Sequence, residues 1–221
     1  MNSRSEAAPE PTAEHLRARR REARIATNRA DILDAAERVF AERGLTEGSL
    51  RDIASLSGFS TAAIYNYFEN KQHLLAEALS RRGVELLEQI DVAAQGDGSP
   101  LTKLHRIVDV TVALFQRYPN FRQMLRHASE SEGMLAAVIA EYAGGRVDLF
   151  AQSLTLMTSI VEEGQQLGEI RNGSAGALIR LYMVLVNEHV SLSTIDDPEI
   201  GSLSLDQFHG FVDGALRRPL D

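Results

Sequence analysis

The amino-acid sequence predicts an all-α protein of about nine helices. Three observations carry that expectation. Apolar residues recur at three- and four-residue steps over most of the chain, no stretch alternates apolar and polar as a half-buried strand does, and glycine, proline or small polar residues punctuate the pattern where helices should end. With 221 residues, 44% hydrophobic, the chain is long enough for one large domain or two small ones around a sizeable core.

The elements follow in order. Residues 1–24 are polar, carry Pro9 and Pro11 and lack apolar periodicity, so they read as a disordered, Arg-rich arm. From Asn28 a helical pattern sets in. Ile32, Leu33, Ala36, Val39 and Phe40 form its inner face, Gly44 stops it, and Thr27, or Asn28 with Asp31, is the expected cap. Ser49 opens a second helix through Ser49-x-x-Asp52, an acidic variant of the capping box, with Leu50, Ile53 and Ala54 inward. Gly58 breaks it, because glycine alone enters a left-handed turn without steric cost.

Ser60 then caps a third helix with two unlike sides. Ala63/Tyr67 and Ile64/Phe68 make apolar i,i+4 pairs on one; Thr61/Tyr65 and Ala62/Asn66 lie on the other. Asn70 caps a long helix to about Gln95 bearing Leu74, Leu75, Ala78, Leu79 and Leu86. After "GDGSP", helical patterns cover about 100–117, 119–129, 132–166, 174–193 and 205–217, with "YPN", "GQQLGEIRNGS" and "STIDDPEIGSLS" between some of them. Gly144-Gly145 inside one of these marks a kink or a close approach.

Composition excludes several functions. The chain has no cysteine, so disulfides, thiolate metal sites and a Cys nucleophile are ruled out. No apolar run of about 18 residues marks a membrane span, and no apolar h-region marks a secretory signal, so a cytoplasmic location without a membrane partner is expected. HExxH, GxGxxG, a Walker loop and Glu-x-x-His pairs are all missing, and Glu162 and Glu163 point in different directions on one helix. Neither enzymatic activity nor a metal or other cofactor is expected.

The net charge of −8 argues against a polyanionic partner until its distribution is considered. Residues 1–82 hold 13 Lys and Arg against 12 Asp and Glu, whereas residues 83–221 hold 10 against 19. Arg17, Arg19, Arg20, Arg21, Arg24 and Arg29 crowd one stretch with only Glu22 against them. Local sign decides, because charges farther apart than about 10 Å are screened at physiological salt.

The paired short helices fit a helix-turn-helix. Ala54 is small enough for the crossing, Gly58 makes the turn, and Phe59, Ile64 and Tyr67 hold the next helix down, leaving its other side for a major groove about 12 Å wide. A plain hairpin packed in a core, as in a helical enzyme or scaffold, leaves the outward grouping of Thr61, Tyr65 and Asn66 unexplained.

At this point "ILDAAERVFAERGLTEGSLRDIASLSGFSTAAIYNYFENKQHLL" resembles the N-terminal domain of the tetracycline-repressor (TetR) family of bacterial transcription regulators, through "ILDAA…F…G", "S-x-RDIA", "G-x-S", "IY-x-YF" and "NK-x-x-LL". The resemblance implies a homodimer on palindromic double-stranded DNA, and repression relieved by a small-molecule effector; an activator or a ligand-independent regulator is the alternative. It divides the chain into an arm (1–24), a DNA-binding domain (25–72) and a ligand-binding and dimerisation domain (73–221). It places Ser49, Arg51, Tyr65 and Lys71 near DNA. Thr61 and Ala62 depart from the lysine and glycine often found there, a loss that Arg20, Arg21 and Arg24 of the arm, entering a minor groove, are expected to offset. Asn66 is the candidate base reader, since an amide pairs with adenine's N6/N7 edge.

Late in the chain, Leu178, Leu181, Tyr182, Leu185 and Leu192 form one apolar row and Ile179, Met183, Val186 and Val190 a second, so this helix is expected to be buried on two sides. Together with Leu205, Phe208, Phe211, Val212 and Leu216 it resembles the family's two-helix dimer face. Phe115, Phe121, Met124, Leu125, Phe150, Leu154 and Met157 fall on helices that wall family pockets, with His127, Tyr182 and Asn187 as candidate polar contacts for a lipophilic ligand.

Overall fold

The structure, a computed structural model, describes residues 12–130, 147–193 and 201–218. Gly144-Gly145 and the first part of the 132–166 pattern lie outside these residues. Among them are nine helices and no strand: α1 (Ala13–Arg43), α2 (Leu50–Ser57), α3 (Thr61–Tyr65), α4 (Lys71–Gln95), α5 (Pro100–Arg117), α6 (Pro119–Glu130), α7 (Val147–Gln166), α8 (Ala175–Leu192) and α9 (Leu205–Leu216).

Local chemistry accounts for most of the boundaries. The side chains of Ser49, Ser60, Asn70, Ser99, Ser174 and Ser204 each accept a hydrogen bond from the backbone N–H three residues on, satisfying a donor that the first turn leaves unpaired. At Ser204 the box is complete, with Gln207 reaching back to the cap nitrogen. Gly58 closes α2 at φ 74°, the left-handed conformation expected of it.

The arm departs from expectation. Residues 13–27 are not an irregular segment; they extend α1 by roughly four turns beyond the core. Thr12 is the cap, and Thr27 lies mid-helix, its hydroxyl donating to the Ala23 carbonyl at 3.0 Å. The reason lies in composition: "AEHLRARRREARIA" is made almost entirely of strong helix formers. With no apolar face it packs against nothing among the described residues, and every residue from 12 to 27 is exposed.

One core runs through the whole molecule. Ile32, Phe40, Ile53, Ile64 and Phe68 fill the head formed by α1–α3, and Leu74 and Leu79 of α4 continue it to Leu104, Phe121, Met124, Ile179 and Val212. The "GQQLGEIR" turn works through two glycines. A Cβ on Gly164 would lie 2.5 Å from Ile170 Cδ1, so Ile170 folds back fully buried, and Gly168 at φ 74° makes the reversal. The Arg171 N–H donates to the Leu216 carbonyl and the Arg218 N–H to the Glu169 carbonyl, stitching this turn to the end of α9. The α5–α9 seam is polar: His105 and His209 stack at 4.4 Å, His105 pairs with Asp213 at 2.8 Å and His209 with Asp109 at 2.9 Å.

Candidate nucleic-acid interface

The head presents α3 as the sequence requires. Ile64 and Phe68 are buried, Tyr67 is half-buried, and Thr61, Ala62, Tyr65 and Asn66 are exposed, Tyr65 at 55%. The helical hydrogen bonding runs past Tyr65: Tyr67 and Phe68 both donate to the Ile64 carbonyl, at 2.9 and 3.0 Å, so Asn66 is held rigidly on the outer side. Ala54 is buried at the α2–α3 crossing, and the Phe59 ring meets Tyr67 edge-on.

Two residues that the sequence marked for other roles, Asn28 as a helix cap and Arg29 as part of the basic stretch, fix the end of α3. Asn28 donates to the Tyr67 hydroxyl at 2.9 Å, and Arg29 donates to the Tyr67 carbonyl at 2.8 Å. The Arg29 guanidinium also lies 4.5 Å over the Phe68 ring and pairs with Glu77 of α4. The available signal was position: both stand one turn before the first buried residue of α1, where a polar side chain reaches the neighbouring helix.

The remaining candidates differ in how free they are. Arg51 is exposed and no ion pair holds it among the described residues. The Ser49 hydroxyl is engaged, accepting from the Asp52 N–H and donating to the Asp52 carboxylate, which therefore sits below its ordinary range; Arg43, 2.8 Å away, reinforces this. Lys71 donates to the Thr46 carbonyl and sits 5.9 Å over the Phe40 ring, closing the α1–α2 loop. Burial lowers its pKa although Glu47 acts in the opposite sense. Gly48 in that loop also went unread: a Cβ there would come within 2.9 Å of Phe40.

The head is wired to the rest of the chain through a buried carboxylate. Glu37 of α1, only 5% exposed, accepts from Arg81 Nε at 3.0 Å and from Arg81 Nη2, with Arg82 Nε 3.4 Å away. Arg81 also reaches Asp34, and these carboxylates raise its pKa against the opposing effect of burial. The Arg82 guanidinium stacks 3.9 Å over Tyr118, whose hydroxyl donates to Glu85 at 3.4 Å. Glu37 shares the row of Leu33 and Phe40, which was the sign that it points inward.

Of the candidate ligand residues, Phe115, Phe121, Met124, Met157 and Tyr182 are buried and Leu154 is half-buried. Phe115 and Phe121 pack against each other at 6.3 Å. Tyr182 donates to the Leu104 carbonyl at 2.6 Å, and burial pushes its pKa up. His127 lies 3.1 Å from the Ala41 carbonyl of α1. The side chain of Phe150 lies outside the described residues, and Asn187 is exposed. An open cleft of about 620 Å³ lies elsewhere, between α4 and α5, bordered by Glu88, Val92, Arg106 and Asp109.

The candidate dimer residues divide. Phe208 and Val212 turn into the subunit's own core, so they do not form part of an outer face. Phe208 stacks on the buried His189 at 4.2 Å. Outward stand Leu181 and Val184, each 62% exposed, and Phe211 at 55%; Leu178, Leu185 and Leu192 are half-buried. The two-sided burial expected of α8 is therefore met on one side by Ile179, Tyr182, Val186 and Val190, and the other side lies open.

The comparisons agree with this geometry. Residues 32–78 match the profile of bacterial regulatory proteins of the tetR family. The HTH-type transcriptional repressor BepR of Brucella suis is 31% identical over 170 residues, which span 75% of this chain and 81% of that protein. Two solved structures share the fold. AibR in complex with isovaleryl coenzyme A and operator DNA superposes with a TM-score of 0.65 at 21% identity, covering 87% of this chain and all 100% of that one. FadR from Bacillus subtilis in complex with stearoyl-CoA does so with a TM-score of 0.65 at 22% identity, covering 84% and 95%. A glycine-pivoted helix-turn-helix with an exposed polar face, the matched profile and the likeness to BepR lead to one conclusion: the chain belongs to the TetR family of DNA-binding transcription regulators.

Proposed function

We propose that this protein is a cytoplasmic, homodimeric repressor that binds a palindromic operator through α3 and leaves it when a lipophilic effector binds the α4–α9 domain. The observation that carries the DNA reading is the outward row of Thr61, Ala62, Tyr65 and Asn66 on a helix pinned from behind. Tyr65 and Arg51 contact phosphates, Ser49 stands near them with its hydroxyl committed to Asp52, Lys71 keeps two ammonium donors beyond its bond to Thr46, and Asn66 reads a base edge. Phosphate contacts set register and base contacts set sequence. One such unit reads little DNA, so two copies engage half-sites about 34–36 Å apart. The open α8–α9 face, with Leu181, Val184 and Phe211, supports pairing of two copies there.

The effector reading draws on the Phe- and Met-rich packing of α5–α7 and on the coenzyme A thioesters held by AibR and FadR. The test selects bound sequences from random DNA and measures affinity for the resulting palindrome by fluorescence anisotropy. Binding should weaken steeply as salt rises, because each phosphate the protein neutralises releases condensed counterions. Addition of stearoyl-CoA or isovaleryl-CoA should then weaken it. A protein that recovers no palindrome sinks the DNA reading, and an operator complex indifferent to both thioesters sinks the acyl-effector reading.

A further inference from the structure

The helical extension of α1 carries a row of like charges that leads away from the head. Arg17, Arg21, Arg24 and Asn28 stand at i, i+4, i+7 and i+11, with Arg20 beside them, so one helix face holds four guanidinium groups and then Asn28. Asn28 is where this face meets the head, through its hydrogen bond to Tyr67, the residue after Asn66. All four arginines are exposed and no ion pair neutralises them among the described residues. Glu14 lies at the tip, Asp31 lies beyond Asn28, and Glu22 faces another way. Like charges at i,i+4 destabilise a helix, a cost that a polyanion along this face would remove.

Helical geometry also decides how such an arm meets DNA. An α-helix with its side chains is about 10–12 Å wide and the minor groove about 6 Å. The arm therefore cannot enter a minor groove as an extended arginine tail would. From these facts we infer that residues 13–27 are a rigid rail for the phosphate backbone, on which Arg17, Arg20, Arg21 and Arg24 bind phosphates flanking each half-site. The occupant is duplex DNA because the row is cationic, unpaired among the described residues and carried by the same helix that pins α3 in the head. At 1.5 Å per residue, Arg17 stands about 16 Å from Asn28, the length of about five base pairs. The operator footprint then extends about five base pairs beyond the bases read by α3.

This inference rests on the DNA-binding reading of the head, and the experiment separates the two. The full chain and its Arg17→Gln/Arg20→Gln/Arg21→Gln/Arg24→Gln variant are titrated against the selected palindrome, with and without five flanking base pairs on each side, from 50 to 200 mM salt. Glutamine keeps helix propensity, and circular dichroism checks that the helix persists. Each lost phosphate contact lowers the log–log salt slope by about 0.9, so the variant's slope should fall by about 3–4 per protomer, and only wild type should gain from the flanks. A slope change below about 1, or flank-independent wild-type binding, overturns the rail and leaves the head reading standing. Failure of wild type to bind any palindrome overturns both. Ala26→Pro, which breaks the helix but keeps every charge, should weaken binding to the flanked site at least about tenfold; unchanged binding overturns the helical rail. Loss of binding to phosphatidylserine/phosphatidylcholine vesicles without loss of DNA affinity in the four-glutamine variant assigns the row to membranes and overturns it too.

Discussion

Glu37→Gln is the perturbation that most directly tests how the head is held. The carboxylate is 5% exposed and faces Arg81 through two hydrogen bonds and Arg82 at 3.4 Å. Glutamine keeps the volume, so no cavity opens, but it removes the charge and leaves two guanidinium groups, 23% and 20% exposed, facing a neutral amide. Asp34, 64% exposed, remains for Arg81, and Glu85, 3.8 Å away, for Arg82. Breaking a buried ion pair from one side costs about 3–5 kcal/mol, and the surviving carboxylates place this case at the low end, about 3 kcal/mol. For a chain of this length 1 kcal/mol moves Tm by about 2–4 °C, so a fall of roughly 6–12 °C is expected in thermal unfolding followed at 222 nm. Arg81→Gln and the double variant complete a cycle in which the interaction energy should exceed about 1 kcal/mol, because the double variant no longer strands one charge. A fall under about 2 °C, or additive single variants, would refute the reasoning.

Four further outcomes are expected. Tyr65→Phe should weaken operator binding by about 1 kcal/mol irrespective of sequence, whereas Asn66→Ala should relax preference at one base step by about 1–3 kcal/mol; competition with mutated operators distinguishes them. Gly58→Ala should lower stability by about 1–2 kcal/mol in chemical denaturation, since φ 74° is strained for a side chain even though a Cβ meets nothing within 4 Å. Phe211→Asp should turn the dimer into a monomer by light scattering and abolish operator binding, because it puts a charge on the open α8–α9 face. Burial, with help from the charge of His209, lowers the pKa of His189, so its neutral form stabilises the fold above the unfolded value near 6.5 and that contribution is lost as pH falls through the lower folded value; Tm should fall from pH 7.5 to 5.5, and fall less in His189→Asn.

How much could be read in advance depended on how local the determinant was. Ser49, Gly58, Ser60 and Asn70 act within one turn of their own backbone, so the head could be drawn from spacing alone. The arm could not, because the search for apolar periodicity finds helices that pack, and Ala13 to Thr27 form a helix without packing. The α9 stripe failed for a different reason: Phe208, Phe211 and Val212 are equally apolar, and only the placement of α5 and α8 decides that two face inward and one outward. Lys71 was legible as a cation near DNA but not as the donor that closes the Thr46 loop, a contact 25 residues away in sequence. Phe121 and Met124 suit a pocket wall and a core equally well, so composition alone could not separate those roles.

The wiring of the head makes α1 the element that touches the end of α3, the α4 arginines and α6 together. Near its middle α1 holds the end of α3 through Asn28 and Arg29. Two to three turns further on, Glu37 receives the α4 arginines and the Ala41 carbonyl meets His127 of α6. Arg82 is shared, touching Glu37 on one side and Tyr118, at the α5–α6 junction, on the other. The α5–α6 region therefore meets α1 at two points, through Arg82 on Tyr118 and through His127 of α6, while Arg29–Glu77 ties α1 to α4. Because α1 is one continuous helix from Ala13 to Arg43, about 46 Å long, the residues that hold α3 and the arginine row lie on a single element. Recognition helix and arm therefore share one rigid support and need no separate hinge between them.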